Sequence, residues 1–551
     1  MKSKFNKIFG VGLTIALLAS LLIVAPAAVS AGNLTYDVVK APSAVGLVLT
    51  SATDVSFVAA AADGKTVFAY DNAAKVLYKS ADAGVTFTTT SIGTGLNTNT
   101  IVGLVVSPNY ATDSIVAAAT AGAYFSSSDG GKTFVNVANA DLTVKLGSGT
   151  ITSLDLAPYF ATNILNAIVG VTGGTAANSN VLRFAYNSFE WVDVGTAASM
   201  TENVTAVKFS PNHLSDASIL AVSTTTAPVT HVNIHTGLDT VAWNTPTLQF
   251  VIPGAFTATS AVIALGSDYL ATGSSQTILV GTTDAAAASD VFRISQSFGQ
   301  TTGLNATDLN LAGAATSSQI KDIAISGVTA STTLVATVGS AVVARTANPT
   351  GTVTWTTTNT KAATGAAASD VLWISGVAYV GTTGADSALS KSADGASWNQ
   401  LSIIDVQLVS NNITLVGSAV VDANTIFVII NNANGVGVAR SLFKTTNGGT
   451  SYERILTGAT LATVNPSPAY ATDSTVFVTD TTALIRKSTD GGTSFTSAAI
   501  PAAVTSFYVK DGSTFYAGTS GSFYKGGRFN AATGLQAATA ITSIAISGTT
   551  I

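Results

Sequence analysis

One eight-residue phrase constrains the fold of this chain more than any other feature. The stretch SSDGGKTF at residues 127–134 returns almost unchanged as STDGGTSF at residues 488–495. Aligned on Ser-x-Asp-x-Gly-x-Thr-aromatic, a third copy, SADAGVTF, covers residues 80–87. Close variants are TTNGGTSY at residues 445–452 and SADGASW at residues 392–398. A motif that returns along a chain is typical of a fold built from one repeated unit.

Weaker copies of this motif, called the box below, extend through the middle of the chain. Their closing aromatic residues complete a series of ten, spaced by 34 to 57 residues. The series is Phe87, Phe134, Trp191, Trp243, Phe298, Trp355, Trp398, Tyr452, Phe495 and Phe529.

A second motif repeats in step with the box. SPNYATDS begins at Ser107 and SPAYATDS at Ser467, and each follows an alternating apolar run such as IVGLVV. The runs IKDIAIS (320–326) and ITSIAIS (541–547) fit the same slot. Alternation with a period of two predicts strands, and one unit therefore predicts a four-stranded antiparallel meander. We expect an all-β propeller of about ten such units, either as one large ring or as two smaller propellers in tandem.

The box is a device that holds a turn. The Ser or Thr hydroxyl and the Asp carboxylate can bind nearby backbone N–H groups, and glycine permits a positive φ. The closing aromatic residue can pack between neighbouring units. The residues predicted to have these structural roles are Ser80, Asp82, Gly84, Phe87, Ser127, Asp129, Gly131, Phe134, Ser392, Asp394, Trp398, Thr445, Asn447, Gly449, Tyr452, Ser488, Asp490, Gly492 and Phe495.

These boxes resemble those of the Asp-box (BNR) repeat family of secreted β-propeller proteins, which includes sialidases, sortilin-type receptor domains and xyloglucanases. In that family the boxes lie at the periphery of the blades, away from the central binding face. The resemblance therefore implies that the repeated residues are structural and identify no reaction. It rests on the five clear copies, which cover the first two and the last three boxed units of this chain.

The first 31 residues have the pattern of a secretory signal. Lys2, Lys4 and Lys7 precede a mostly apolar run, and Val29 and Ala31 supply small residues for cleavage. The alternative is an N-terminal membrane anchor. Removal of residues 1–31 leaves a body of residues 32–551 with 21 basic and 29 acidic residues, a net charge of −8. This negative charge disfavours nucleic acid and anionic lipid as partners, and we expect an extracellular protein with no integral membrane segment after cleavage.

The residues needed for familiar catalytic chemistry are not evident. The resemblance to sialidases would require three clustered arginines and an Arg-Ile-Pro signature, and residues 1–182 contain no arginine. A pair of carboxylates could serve a glycosidase, but none of the candidates, Asp155, Glu190, Asp268 and Asp322, stands out by its spacing. His231 and His235 share one face of a predicted strand without an adjacent acidic ligand, and the chain has no cysteine. We expect no catalytic residues, cofactor or metal.

What remains is a secreted, weakly charged, repetitive β protein, similar in composition to bacterial surface-layer and envelope proteins. We expect a non-catalytic structural protein of the cell surface that associates with itself or with other envelope components. One alternative is a propeller that binds a peptide or a glycan, and another is a secreted glycan hydrolase. A ring would need to close, and residues 33–39 and 541–547 are the candidate strands for that pairing.

Overall fold

A computed structural model describes residues 54–544, and the signal segment and the strand expected at residues 33–39 lie outside the described residues. The described range has gaps at 138, 158–165, 175–179, 186–187, 196–199, 227–228, 238, 244–248, 255–256, 272–275, 285–288, 296–305, 312–318, 332, 338–340, 405–412, 433–439, 459, 527–532 and 537–539.

The described chain is almost entirely β structure, which confirms the predicted fold class, and its strands fall into ten consecutive antiparallel units. Unit 1 comprises β1 (Val55–Ala60), β2 (Val67–Asp71) and β3 (Val76–Ser80), and unit 2 comprises β4 (Ile101–Val106), β5 (Val116–Thr120), β6 (Ala123–Ser127) and β7 (Val135–Asn136). Unit 3 comprises β8 (Thr150–Leu156), β9 (Asn166–Thr172), β10 (Val181–Ala185) and β11 (Glu190–Asp193), and unit 4 comprises β12 (Asn203–Phe209), β13 (Ser218–Thr224), β14 (Thr230–Thr236) and β15 (Gln249–Val251). Unit 5 comprises β16 (Ser260–Leu265), β17 (Thr277–Thr283), β18 (Val291–Ser295) and β19 (Thr307–Asp308). Unit 6 comprises β20 (Ile320–Ile325), β21 (Thr333–Thr337) and β22 (Val343–Thr346), and unit 7 comprises β23 (Ala367–Ile374), β24 (Val377–Thr383), β25 (Ala388–Ser392) and β26 (Asn399–Ile404). Unit 8 comprises β27 (Ile413–Val420), β28 (Ile426–Asn432), β29 (Arg440–Thr445) and β30 (Glu453–Thr457), and unit 9 comprises β31 (Leu461–Pro466), β32 (Val476–Asp480), β33 (Leu484–Ser488) and β34 (Thr496–Ala499). Unit 10 comprises β35 (Val504–Val509), β36 (Phe515–Thr519), β37 (Ser522–Gly526) and β38 (Thr533–Gln536).

Four short helices accompany the strands: α1 (Tyr110–Asp113), α2 (Asn139–Leu146), α3 (His213–Asp216) and α4 (Tyr470–Asp473). Three of them are single turns formed by the second repeated motif. In α1 the Ser107 hydroxyl donates to Asp113 Oδ2 at 2.6 Å, and the carbonyl of Ser114 accepts from the backbone N–H of Gly130 in the box. The second motif therefore folds back onto the box of its own unit.

The first strands of the units pack against one another face to face. In nine units this strand has a β-bulge near its start, between residues such as Val55 and Phe57. A glycine in the second strand gives the next unit room, because a Cβ on Gly281 would lie 2.4 Å from Ile320. Small residues at this position let successive sheets approach closely.

Units 1 to 7 form a closed ring. Their first strands pack in succession, and β23 of unit 7 packs against β1 of unit 1. At this closure the N–H of Val58 donates to Asp370 Oδ2 at 2.6 Å, and the Ser369 hydroxyl donates to the carbonyl of Val55. The ring therefore closes through β1 and β23. Of the terminal segments predicted to pair, residues 33–39 and 545–547 lie outside the described residues.

Units 8 to 10 form a separate stack, in which β27 packs on β31 and β31 on β35. The stack is attached at its outer edge, because β26 and β30 pair at Gln400 and Arg454 and join units 7 and 8 into one eight-stranded sheet. These contacts divide the ten units into two bodies, a ring of seven units and a stack of three.

Candidate functional site

The five clear boxes share one hydrogen-bond circuit. In unit 2 the Ser127 hydroxyl donates to Asp129 Oδ1 at 2.8 Å and accepts from the N–H of Gly131 at 2.9 Å. Asp129 also accepts from the N–H of Thr133. The same circuit begins at Ser80, Ser392, Thr445 and Ser488 in the other four boxes.

The carboxylates of the boxes are held in their charged form. For Asp129 and Asp490 burial pushes the pKa up, but the hydrogen bonds from the turn outweigh it and leave the pKa below its ordinary value. The same balance lowers the pKa of Asp82 and Asp394. Four of the closing aromatic residues are buried and Phe495 is half-buried.

Three of the boxes also contact the preceding unit. A Cβ on Gly131 would lie 2.7 Å from the Phe68 ring in unit 1, and one on Gly492 would lie 2.4 Å from Ile455 in unit 8. Gly84 of unit 1 meets Leu401 of unit 7 in the same way, which is again a contact across the ring closure.

Two lysines just before the boxes, Lys79 and Lys444, are half-buried and bonded to the neighbouring unit. Lys79 Nζ donates to the carbonyl of Gly130 at 2.7 Å, and Lys444 Nζ donates to that of Gly491 at 2.9 Å. Each therefore bridges from its own unit to the box of the next unit. The sequence offered a signal for this in the recurrence of lysine at the slot, but not the partner.

Charged groups also meet on the first strands that line the ring. Asp155 accepts from the N–H of Phe209 and from Lys208 Nζ, at 2.8 and 3.0 Å, and Asp322 accepts from the N–H of Val371 at 2.9 Å. Burial, and then the hydrogen-bonded Asp322 carboxyl, raise the pKa of Asp370 well above its ordinary value. The Asp155 carboxylate raises the pKa of Lys208. These carboxyls connect one unit to the next.

The other two acids considered for catalysis lie elsewhere. Asp268 accepts from the N–H and hydroxyl of Thr329, and Glu190 is exposed at the start of β11. Asp322 lies beside Asp370 and raises the pKa of its carboxyl.

A polar cluster in unit 4 was missed by the sequence analysis. Glu202 accepts from the Ser223 hydroxyl at 2.5 Å, and its Oε2 lies 2.9 Å from His231 Nδ1. His231 thus has the acidic neighbour that the sequence did not place beside it. Burial opposes this charge, but His231 and Ser223 lower the pKa of Glu202. Because Ser223 is fully buried and bonded to Glu202 instead of to the histidine, it is not placed as a nucleophile.

His235 differs from His231. It is buried beside Trp243, with its Nε2 2.9 Å from the carbonyl of Val241, and burial lowers its pKa. Among the described residues, no three His, Asp or Glu side chains are grouped so that they could hold a metal ion.

A further network of polar groups lies where the ring meets the stack. Lys361, in the loop before β23, donates from Nζ to Asn399 Oδ1 and to the carbonyls of Ile455 and Gly492, both at 3.0 Å. One ammonium group therefore binds units 7, 8 and 9. Burial lowers the pKa of Lys361 to about 8, against the opposing effect of Asp490, Glu453 and Asp394.

Arg454 of β30 is the second charged group of this junction and is fully buried. Its guanidinium donates to Asp386 Oδ1 at 3.3 Å and to Thr364 Oγ1 at 2.8 Å. Glu453 accepts from Lys391 and, at 3.2 Å, from Asn399 Nδ2. A buried charge without such partners would be costly, so these contacts specify how the two bodies meet.

A cavity of about 210 Å³ opens beside this network. Boxes from units 1, 7 and 9 contribute to its wall, and it is lined by Ala83, Val377, Tyr379, Lys391, Ser392, Ala393, Ser397, Asn399 and Thr493. Cavities of this kind, with an apolar wall and a few polar groups, are typical ligand sites at the boundary between two bodies. Of the lining residues, Lys391 and Asn399 are already bound to Glu453.

No protein-family model and no curated protein matches this chain. Solved structures of similar fold include the GH74 enzyme of Niastella koreensis, with 15% identity over 89% of this chain and 79% of that chain and a TM-score of 0.45. PorZ, a surface component of the type-IX secretion system of Porphyromonas gingivalis, has 14% identity over 89% and 60% and a TM-score of 0.38. Sqt1 of Saccharomyces cerevisiae has 10% identity over 73% and 96% and a TM-score of 0.40. None of these likenesses assigns an activity or a partner to this chain.

Within the part of the chain that the structure describes, no helix has the length and apolar character needed to cross a membrane.

Proposed function

We propose that this chain is a secreted, non-catalytic structural protein of the cell envelope that associates with itself or with other envelope components. The observation that carries this proposal is the edge-to-edge pairing of β26 with β30, which joins the ring and the stack into one sheet. Outer strands expose unpaired backbone groups, and their pairing is a common route by which β proteins associate.

The disposition of the polar side chains supports the same conclusion. The box aspartates bind turns, Asp155 and Asp322 bind the next first strand, and Lys361 binds three units at once. Chemically active residue types are thus engaged in holding units together, which is expected of a protein selected for a rigid shape.

The test has two parts. The protein should be a major component of the isolated cell envelope, visible by electron microscopy as part of an ordered layer. The purified protein should release no product from sialosides, xyloglucan fragments or other glycans. A scarce protein in the culture medium that cleaves one of them would contradict the proposal, and the hydrolase would take its place.

A second candidate function is a binding module, which the cavity between the two bodies favours. Its size and mixed lining suit one small polar unit, such as a sugar residue or a peptide side chain. Replacing Thr493 or Ala83 with Trp would fill the cavity, and loss of binding on a glycan or peptide array, with the fold retained, would establish this role.

A further inference from the structure

Within the ring, each unit packs on the preceding unit through its first strand. The residue that precedes the bulge of each first strand is the contact point, and it is no more than 3% exposed in any unit of the ring in which a bulge occurs. Its carbonyl accepts a hydroxyl from the preceding unit, as Ile320 does from Thr283 at 2.8 Å and Val204 from Thr152 at 2.7 Å. A hydroxyl group and a glycine of the preceding unit thus form a seat for the next first strand.

The stack has this seat at its trailing end. In unit 10 the carbonyl of Ile541 accepts from Thr505 Oγ1 at 2.6 Å and from Ser506 Oγ at 3.0 Å. A Cβ on Gly518 would lie 2.6 Å from the Ile541 side chain, as one on Gly281 would crowd Ile320. The segment that starts at Ile541 therefore occupies the place of a following first strand, but Ile541 and Ile544 remain only half-buried.

The stack has the complementary surface at its leading end. Leu415 precedes the bulge of β27 and so occupies the position that Val55 has in the ring, but Leu415 is 64% exposed and Val55 is 1% exposed. Val420 of the same strand is 69% exposed. An exposed apolar side chain at a position that is buried throughout the bulged units of the ring marks an interaction surface.

We propose that β27 of one copy packs on the trailing face of unit 10 of a second copy, in the place of that copy's own segment at Ile541. Two stacks then close head to tail into one ring of six units, with the same contact made twice. Such a ring has closed twofold symmetry, which is the commonest form of protein assembly. This inference rests on the self-association proposed above and names the contact that produces it.

The second copy is favoured over an unrelated partner because both surfaces belong to this chain and match contacts already made within it. The ring closes where the last unit meets the first, through β23 and β1. Neither β27 nor β35 contains a charged residue, so their approach desolvates no unpaired charge.

The test is the oligomeric state of the protein with residues 32–551, measured by sedimentation velocity over a range of concentrations. We expect a dimer, and Leu415→Lys together with Val420→Lys should make it monomeric. Val135→Lys together with Val144→Lys is the matched control, because these side chains are 60% and 75% exposed on the ring and should leave the dimer intact. Circular dichroism verifies that each variant is folded.

Removal of residues 541–551 should strengthen the dimer, whereas the lysine substitutions at Leu415 and Val420 should abolish it. The segment competes for the seat in each of the two copies, so its removal should lower the apparent dissociation constant, by about a hundredfold if it covers each face nine-tenths of the time. Because the chain has no cysteine, copies with Leu415→Cys mixed with copies with Ser506→Cys should form a disulfide-linked dimer, and neither should do so alone.

A protein that stays monomeric at all concentrations would overturn this inference, and so would a dimer that is lost when residues 541–551 are removed. A dimer that survives Leu415→Lys would also overturn it, but would leave the proposed envelope role standing through another surface. Absence from the envelope, with the dimer confirmed, would contradict the proposed function alone.

Discussion

Val55 in the ring and Leu415 in the stack occupy the same place in the same kind of unit, yet one is buried and the other lies open to solvent. Both strands are mostly apolar and contain no charged residue, so the difference comes from what precedes each unit in space. Unit 7 lies before unit 1 because the ring closes, whereas in the described structure no such contact covers Leu415. Burial in a repeat protein thus depends on the neighbour as well as on the unit.

The contacts within each body also differ from those between the two bodies. Units in the ring meet face to face through first strands rich in small and apolar residues, so these seams can recur with many sequences. The ring and the stack instead meet edge to edge around buried Arg454 and the ammonium group of Lys361. Charged groups with fixed partners make this junction specific, because any other arrangement would leave them unpaired.

The largest expected effect is at that junction. Arg454→Ala should destabilise the protein by about 3–5 kcal/mol, because it removes a buried charge and leaves Asp386 without its partner. Urea denaturation followed both by tryptophan fluorescence, which reports on the ring, and by circular dichroism, which reports on both bodies, should then show the ring and the stack unfolding separately. Arg345→Ala, which removes a long hydrogen bond of 3.4 Å to Thr358, is the control and should change the stability by less than about 1 kcal/mol. An unchanged single transition in Arg454→Ala would show that the polar network does not couple the two bodies.

Truncation of a closing aromatic residue should have a smaller effect on stability, and the loss should be larger in the ring than in the stack. Phe134 in the ring is 4% exposed, and Phe134→Ala should cost about 3–4 kcal/mol. Phe495 in the stack is half-buried, and Phe495→Ala should cost about half as much, because less apolar surface is lost from the core. Thermal unfolding of both variants measures the difference, and equal losses would mean that unit 9 is more enclosed than its exposure indicates.

Loss of the box aspartate should cost the same stability in the ring and in the stack. Asp129→Ala and Asp490→Ala should each cost about 1–2 kcal/mol, because the hydrogen bonds that they remove lie within one turn. Chemical denaturation of the two variants should give values that agree within error. If folded Asp490→Ala lost binding or activity while Asp129→Ala did not, the box of unit 9 would have a role beyond structure.

The smallest effect concerns the carboxyl pair at the ring closure. The pKa of Asp370 is raised in the folded state, so the unfolded chain loses this proton first as the pH rises. Stability is therefore lost between the ordinary aspartate pKa, about 4, and the raised value in the fold. Asp370→Asn keeps an oxygen for the N–H of Val58 and should reduce this loss.

Denaturation curves at several pH values between 4 and 8 measure this effect. Asp322→Asn should reduce the pH dependence in a similar way, because either change leaves a single carboxyl at the site. If both variants kept the pH dependence of the original protein, the pair would not be its source.

The repeat alone predicted much of the local structure. The bonds of Ser127 to Asp129 and Gly131 span two and four residues, so the chemistry of the turn is contained in the box itself. The alternating runs predicted first strands such as β4 and β20 for the same local reason. The candidate site was not predictable, since Lys361 binds the carbonyl of Gly492, 131 residues away, and no motif marks Lys361.

The sequence by itself determined the unit: its strands, its turns and the order in which they follow, because these depend on contacts between residues close together in the chain. The tertiary structure alone decided that seven units close and three stand beside them. That outcome depends on Val58 meeting Asp370 across 312 residues and on Gln400 pairing with Arg454. Such contacts follow from how far each sheet turns relative to the last, a sum over the whole ring that no single repeat encodes.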